Sequence, residues 1–237
     1  MPPRQPSPEG LARDPRFYRD HIVFLVEDRL FKVPRHEFVA SPVFRDMFAL
    51  PASDTETAEG VTDDEPVRLD GIKRDDFRAL LHIMLRPHYN PSWEEAEEPS
   101  TEDWIAVLKL TTMWEFACLR RTAICELSLI VRTELDPFDW VCLARQYSVH
   151  EWLFPALHAL ARRTQPLQAD EADRLGIATV LRMAEVRESY VGCKVDHVHT
   201  HGKHFDQHHQ TIPRLQHDFT NEIRRVFKEE LEQCDEY

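Results

Sequence analysis

Apolar and polar positions alternate along this chain in two different rhythms, a strand-bearing front and a long helical remainder. Ile22 to Val26 is an unbroken apolar run, as expected of a strand covered on both faces. Glu27-Asp28 interrupts it, and Arg29 to Val33 follows with alternating character. Strand, two-residue break and strand predict a hairpin, here without the usual glycine in the turn. Pro34 stops the second strand, and a short helical segment from Arg35 to Val39 leads to Ser41-Pro42. A serine N-cap followed by proline at the first helical position predicts a helix start. Val43, Phe44, Met47 and Phe48 then fall on one face at helical spacing.

Val67 to Leu69 reads as a short strand, and Asp75 to Leu85 as an amphipathic helix carrying Phe77, Leu80, Leu81 and Met84. Arg86-Pro87 ends that helix, because the residue before a proline is pushed out of the helical region. Ser100 and Asp103 have the spacing of a capping box, opening a helix through Trp104, Val107, Leu108 and Thr111. Another helix follows from Leu119 through Ala123 and Leu127 to about Val131. Beyond it the pattern is entirely helical, with Trp140, Leu143, Trp152, Leu157 and Leu160 as candidate core and Gly176 as a helix stop. Pro213 to Leu231 predicts a last amphipathic helix on Leu215, Phe219, Ile223, Phe227 and Leu231.

Charge narrows the function classes. The 237 residues carry 42 acids against 29 bases, a formal net charge of −13. So acidic a chain is a poor match for phosphate backbones, and its arginines form only single pairs, so direct nucleic-acid binding is not expected. No window approaches 18 uninterrupted apolar residues, so no membrane partner is expected and the expected location is cytoplasmic or nuclear. Residues 51–66 contain six acids and no base, and residues 91–102 are a second acidic stretch. Both read as solvated surface loops, with an acidic docking strip as the other reading of the first. The five cysteines are odd in number and lack a C-x-x-C pair. Cys118 and Cys125 on one helix lie about 10 Å apart, too far to bridge, so they read as reduced, buried small hydrophobes.

The front carries a family resemblance. A strand pair, Phe31-Lys32-Val33 before a short helix with His36, the Ser41, Phe44, Met47, Phe48 signature, a third strand and paired helices together resemble a BTB/POZ domain. The remainder is similar to the helical, BACK-like extension of a large group of fungal BTB proteins. It shares Tyr147, Val149, Trp152, Leu153, Leu167, Glu171, Ala172, Leu175, Gly176, Arg187 and Glu188 with that pattern. The resemblance implies an α+β fold, a helical cluster with a small mixed sheet, followed by an all-α extension. The implied organisation is a disordered tail over 1–16, a BTB/POZ domain over 17–132 and a BACK-like region over 133–190. A His-rich segment over 191–212 and an amphipathic helix over 213–237 complete it. It also implies that His36 is buried and hydrogen-bonded. The implied function is non-enzymatic protein–protein interaction, as a dimerising scaffold or as a substrate adaptor docking a cullin ubiquitin-ligase scaffold.

The catalytic motifs sought are absent: no phosphate loop, no G-x-S-x-G elbow, no H-E-x-x-H and no dinucleotide fingerprint. An enzyme is therefore not expected, and no cofactor is implied. One stretch has chemical potential of its own. His197, His199 and His201 stand at alternate positions, which an extended chain would point one way, and His204 and His208 are spaced for one helix face. These five histidines are candidate ligands for a divalent metal such as zinc, against a solvated loop or a pH-responsive patch as alternatives.

Overall fold

The computed structural model describes residues 14, 18–50, 59–85, 98–199 and 213–235, with backbone alone over 191–199 and 233–235. It is an α+β protein that divides into two compact units, Met1–Ala123 and Ile124–Tyr237. The expected tail apart from Asp14, half of the first acidic stretch (51–58) and most of the second (91–97) lie outside the described residues. Of the first stretch, Asp63, Asp64 and Glu65 are exposed in a turn-rich segment.

In the first unit, β1 (His21–Val26) and β2 (Arg29–Pro34) form the predicted antiparallel hairpin, with Val26 opposite Arg29. Glu27 closes the turn at φ +53 in place of a glycine. β3 (Val67–Arg68) adds to the other edge of β1 in parallel, so the sheet order is β2-β1-β3. The central strand is covered on both faces, as its unbroken apolar run requires: Ile22, Val23, Phe24 and Val26 are all buried. Gly60 holds the approach to β3. Its φ of +83 suits glycine, its carbonyl accepts from Val23, and a Cβ there would stand 2.8 Å from Ile22 and 2.9 Å from Val67.

Helices α1 (Arg35–Phe38), α2 (Pro42–Ala49), α3 (Arg74–Met84) and α4 (Thr101–Met113) pack a shared aromatic core. Phe24 meets Phe38, Phe44 and Phe77 at centroid distances of 4.8, 5.6 and 5.7 Å, and Trp114 lies 5.1 Å from Phe44. Ser41 is fully buried and works in two directions. Its hydroxyl caps α2 by accepting from the Phe44 amide at 3.2 Å, and donates to the Trp114 carbonyl at 2.5 Å, where α4 ends. The Ser100–Asp103 capping box of α4 forms as predicted. Lys109 joins α4 to Asp76 of α3 at 2.7 Å.

The second unit is helical throughout its described residues. α5 (Ala117–Ile130) leads into it, followed by α6 (Pro137–Gln146), α7 (His150–Arg162), α8 (Ala169–Leu175) and α9 (Ile177–His199). Asp136 caps α6, and Gly176 at φ +79 separates α8 from α9. α7 is the hub: Trp152, Leu153, Ala156, Leu157 and Leu160 are buried, and Trp152 donates to Ser128 at 2.7 Å. The C-terminal stretch departs from the single predicted helix. A 3-10 turn at Arg214–Gln216 precedes α10 (Thr220–Val226), and Phe227 separates it from α11 (Lys228–Asp235). Phe219, Ile223 and Phe227 are fully buried as predicted, whereas Leu215, on the turn, is 62% exposed. Leu143 is half-buried, less than its sequence position suggested.

Candidate interaction surfaces

Helix α2 presents apolar side chains to two sides. Phe44 enters the core and is 2% exposed. Val43, Met47 and Leu50 recur at the i, i+4, i+7 spacing of the adjacent face, and there Val43 is 41% and Leu50 72% exposed. The single apolar face expected for Val43, Phe44, Met47 and Phe48 is therefore two faces. A helix carries about 3.6 residues per turn, so Val43 and Phe44 stand roughly 100° apart, and α2 turns Phe44 inward while Val43 is left at the surface. Phe48 is half-buried beneath the Arg35 guanidinium, 4.4 Å from its ring centre.

A second surface lies within the helical unit. A cleft of about 680 Å³ opens between α7 and the α10–α11 pair, lined by His150, Glu151, Phe154, Arg224, Lys228 and Leu231 among others. Pro155 also lines it, and as a proline inside α7 it gives the Glu151 carbonyl no helical donor. Arg224 stands over the Phe154 ring at 5.6 Å. Its lining mixes apolar side chains, Phe154, Pro155 and Leu231, with both signs of charge, Glu151 and Glu232 against Arg224 and Lys228. The α11 wall is anchored by Glu230, which Arg145 of α6 grips through both oxygens at 2.8 and 3.0 Å. Arg145 also donates to the buried Thr179 of α9 at 3.1 Å.

The residues singled out in the sequence fare unevenly. His201, His204 and His208 lie outside the described residues, as do the side chains of His197 and His199. The backbone of α9 remains helical through His199, so the alternate-position argument does not hold for His197 and His199. Among the described residues, no three His, Cys, Asp or Glu side chains gather to hold a metal. His36 is not buried: its side chain is 40% exposed, with Nε2 on Arg19 and 3.0 Å from Glu37. The short helix α1 turns one face inward, and Phe38 occupies it. Cys118 and Cys125 share α5 as expected but are exposed, because Ala123 and Leu127 take its inner face. Cys142 is half-buried, and burial pushes its thiol pKa up. The cleft escaped sequence reading because its walls come from stretches more than 60 residues apart.

Among the described residues, no helix is long and apolar enough to cross a membrane. Comparison with known proteins finds no matching family model, no matching curated protein and no matching solved structure.

Proposed function

We propose that this chain is a non-enzymatic protein–protein interaction module of BTB type, acting by dimerisation or scaffolding. The observation that carries the reading is the outward apolar face of α2. A helix already anchored by Phe44 and by Ser41 has no folding need for exposed Val43 and Leu50. The BTB assignment rests on the order of elements: a hairpin, two short helices with a buried serine cap between them, a parallel third strand and a helix pair. The work of the helical unit is to hold a partner segment, through a cleft lined by both apolar and charged side chains.

Sedimentation velocity over a range of concentrations tests the dimer. The full chain shifts to a dimer as concentration rises, whereas the Val43→Asp, Leu50→Asp variant stays monomeric with an unchanged helical spectrum. A wild-type chain that is monomeric throughout would overturn the dimerisation reading. Affinity capture with the full chain then addresses the adaptor form of the same function: cullin among the captured proteins places the chain on a ubiquitin ligase, and its absence beside other specific partners removes that form.

A further inference from the structure

The turn that follows α7 gathers arginines from three distant parts of the chain. Arg163 begins the turn, Arg187 reaches in from α9, and Arg214 comes from the 3-10 turn before α10. Arg187 donates through Nη2 to the carbonyls of Arg163 at 3.0 Å and Gln165 at 2.7 Å. Arg214 donates through Nε to the Ala161 carbonyl at 3.1 Å. All three cationic heads therefore converge on residues 161–166.

Their charge is only partly balanced. Arg163 is neutralised by Glu171, whose two oxygens lie 2.6 Å from its Nη1 and Nη2, and by Asp136 at 3.1 Å. Glu171 also accepts from the Gln168 amide at 2.8 Å, so its oxygens are committed. Among the described residues, neither Arg187 nor Arg214 forms an ion pair with a carboxylate. Burial, then the neighbouring Arg214 and Arg163 charges, pull the Arg187 pKa down to about 10.

Two donors at this turn are also unanswered. Arg163 Nε and Arg214 Nη2 are buried and have no hydrogen-bond partner among the described residues. The Arg163 side chain is only 10% exposed, so its Nε is not simply turned to bulk water. Leaving a charged donor buried and unpaired is costly, and here three guanidinium groups share only the carboxylates of Glu171 and Asp136, both engaged by Arg163. Thr164, Gln165 and Pro166 are exposed, which leaves the turn open to a small solute.

We infer that the turn after α7 is a binding site for a phosphate dianion, free or as a monoester, held by Arg187, Arg214 and the Nε of Arg163. Arg187 and Arg214 bring cationic donors that no carboxylate pairs among the described residues, and the three arginines outnumber the Glu171 and Asp136 carboxylates at the turn by one. A tetrahedral oxyanion offers several acceptors to donors arriving from different directions, and the planar guanidinium fork is well shaped to meet it. The carbonyls that Arg187 and Arg214 already contact hold the two side chains in place before the ligand arrives. This site is separate from the α2 face and from the α7 cleft, and does not depend on the proposed interaction function.

Calorimetric titration of the full chain with inorganic phosphate, against sodium chloride at equal ionic strength, tests the site. The expected result is a saturable heat with one site per chain and a rise in Tm that chloride does not reproduce. Arg187→Gln and Arg214→Gln each weaken binding by about tenfold or more, while Arg78→Gln on the first unit leaves it unchanged. Arg187→Lys keeps the charge but loses the fork, and gives intermediate binding if the variant with glutamine proves unstable. O-phosphoserine run in parallel separates the two ligand forms: binding of both admits a monoester, binding of phosphate alone confines the site to the free ion. No saturable heat with wild-type protein overturns the proposal, and so does equal binding by the arginine variants. In either case the three arginines serve only to satisfy the carbonyls at the end of α7.

Discussion

Single residues hold this protein at points where two demands meet in one side chain. Ser41 caps α2 and satisfies the carbonyl at the end of α4. Ser41→Ala removes the cap and strands a buried carbonyl, a cost of about 2 kcal/mol by urea denaturation. Gly60 is held by φ +83 and by the closeness of Ile22 and Val67, so Gly60→Ala lowers stability by about 2 kcal/mol or more, through strain and overpacking together. Asp218 shows the same economy at the start of α10. The Thr220 hydroxyl, the Thr220 amide and His158 hold its carboxyl down to about 2 from an ordinary 3.8. Because the folded value is the lower one, the stabilisation is complete above pH 3.8 and fades as pH falls toward 2. Acid unfolding followed by circular dichroism shows a shallower loss over that interval in Asp218→Asn, which starts less stable at neutral pH. The serine and its cap were legible in the sequence. The bond from Ser41 to Trp114, 73 residues away, was not, since no local pattern encodes a contact at that separation.

At the scale of elements, helix and strand positions follow from local signals and hold closely. The capping box at Ser100, the Ser41-Pro42 start and the Gly176 stop all sit where the residues put them, because caps satisfy backbone groups within three or four residues. The errors fall on faces. Cys118 and Cys125 point outward on α5, and Val43 and Leu50 outward on α2, because burial depends on what packs alongside. The C-terminal helix breaks at Phe227, and nothing in the structure explains why the interruption falls on that residue. What secures α11 is instead a long-range clamp. The Arg145–Glu230 pair is about three-quarters buried on both sides, so Glu230→Ala leaves a guanidinium short of its partner. The expected loss is about 2 kcal/mol, seen as a lower urea midpoint with an unchanged slope.

For the molecule as a whole, the aromatic core of the first unit sets how much damage a change can do. Phe38 is fully buried and touches Phe24, Phe44, Phe77 and Phe116, so Phe38→Ala costs about 4 kcal/mol and unfolds a large share of the first unit at ordinary temperature. Val43→Asp, on the exposed face of α2 beside the buried Phe44, leaves the melting curve nearly unchanged. That contrast separates a core role from a surface role for α2. The sequence by itself determined the α+β class, the hairpin, the caps and most of the helices, because these depend on bonds and spacings within a few residues. The tertiary structure alone decided which apolar residues stay outside, where the α7 cleft opens, and that Arg163, Arg187 and Arg214 meet at one turn. Those features join residues 24 to 60 and more positions apart, and only packing brings such groups together.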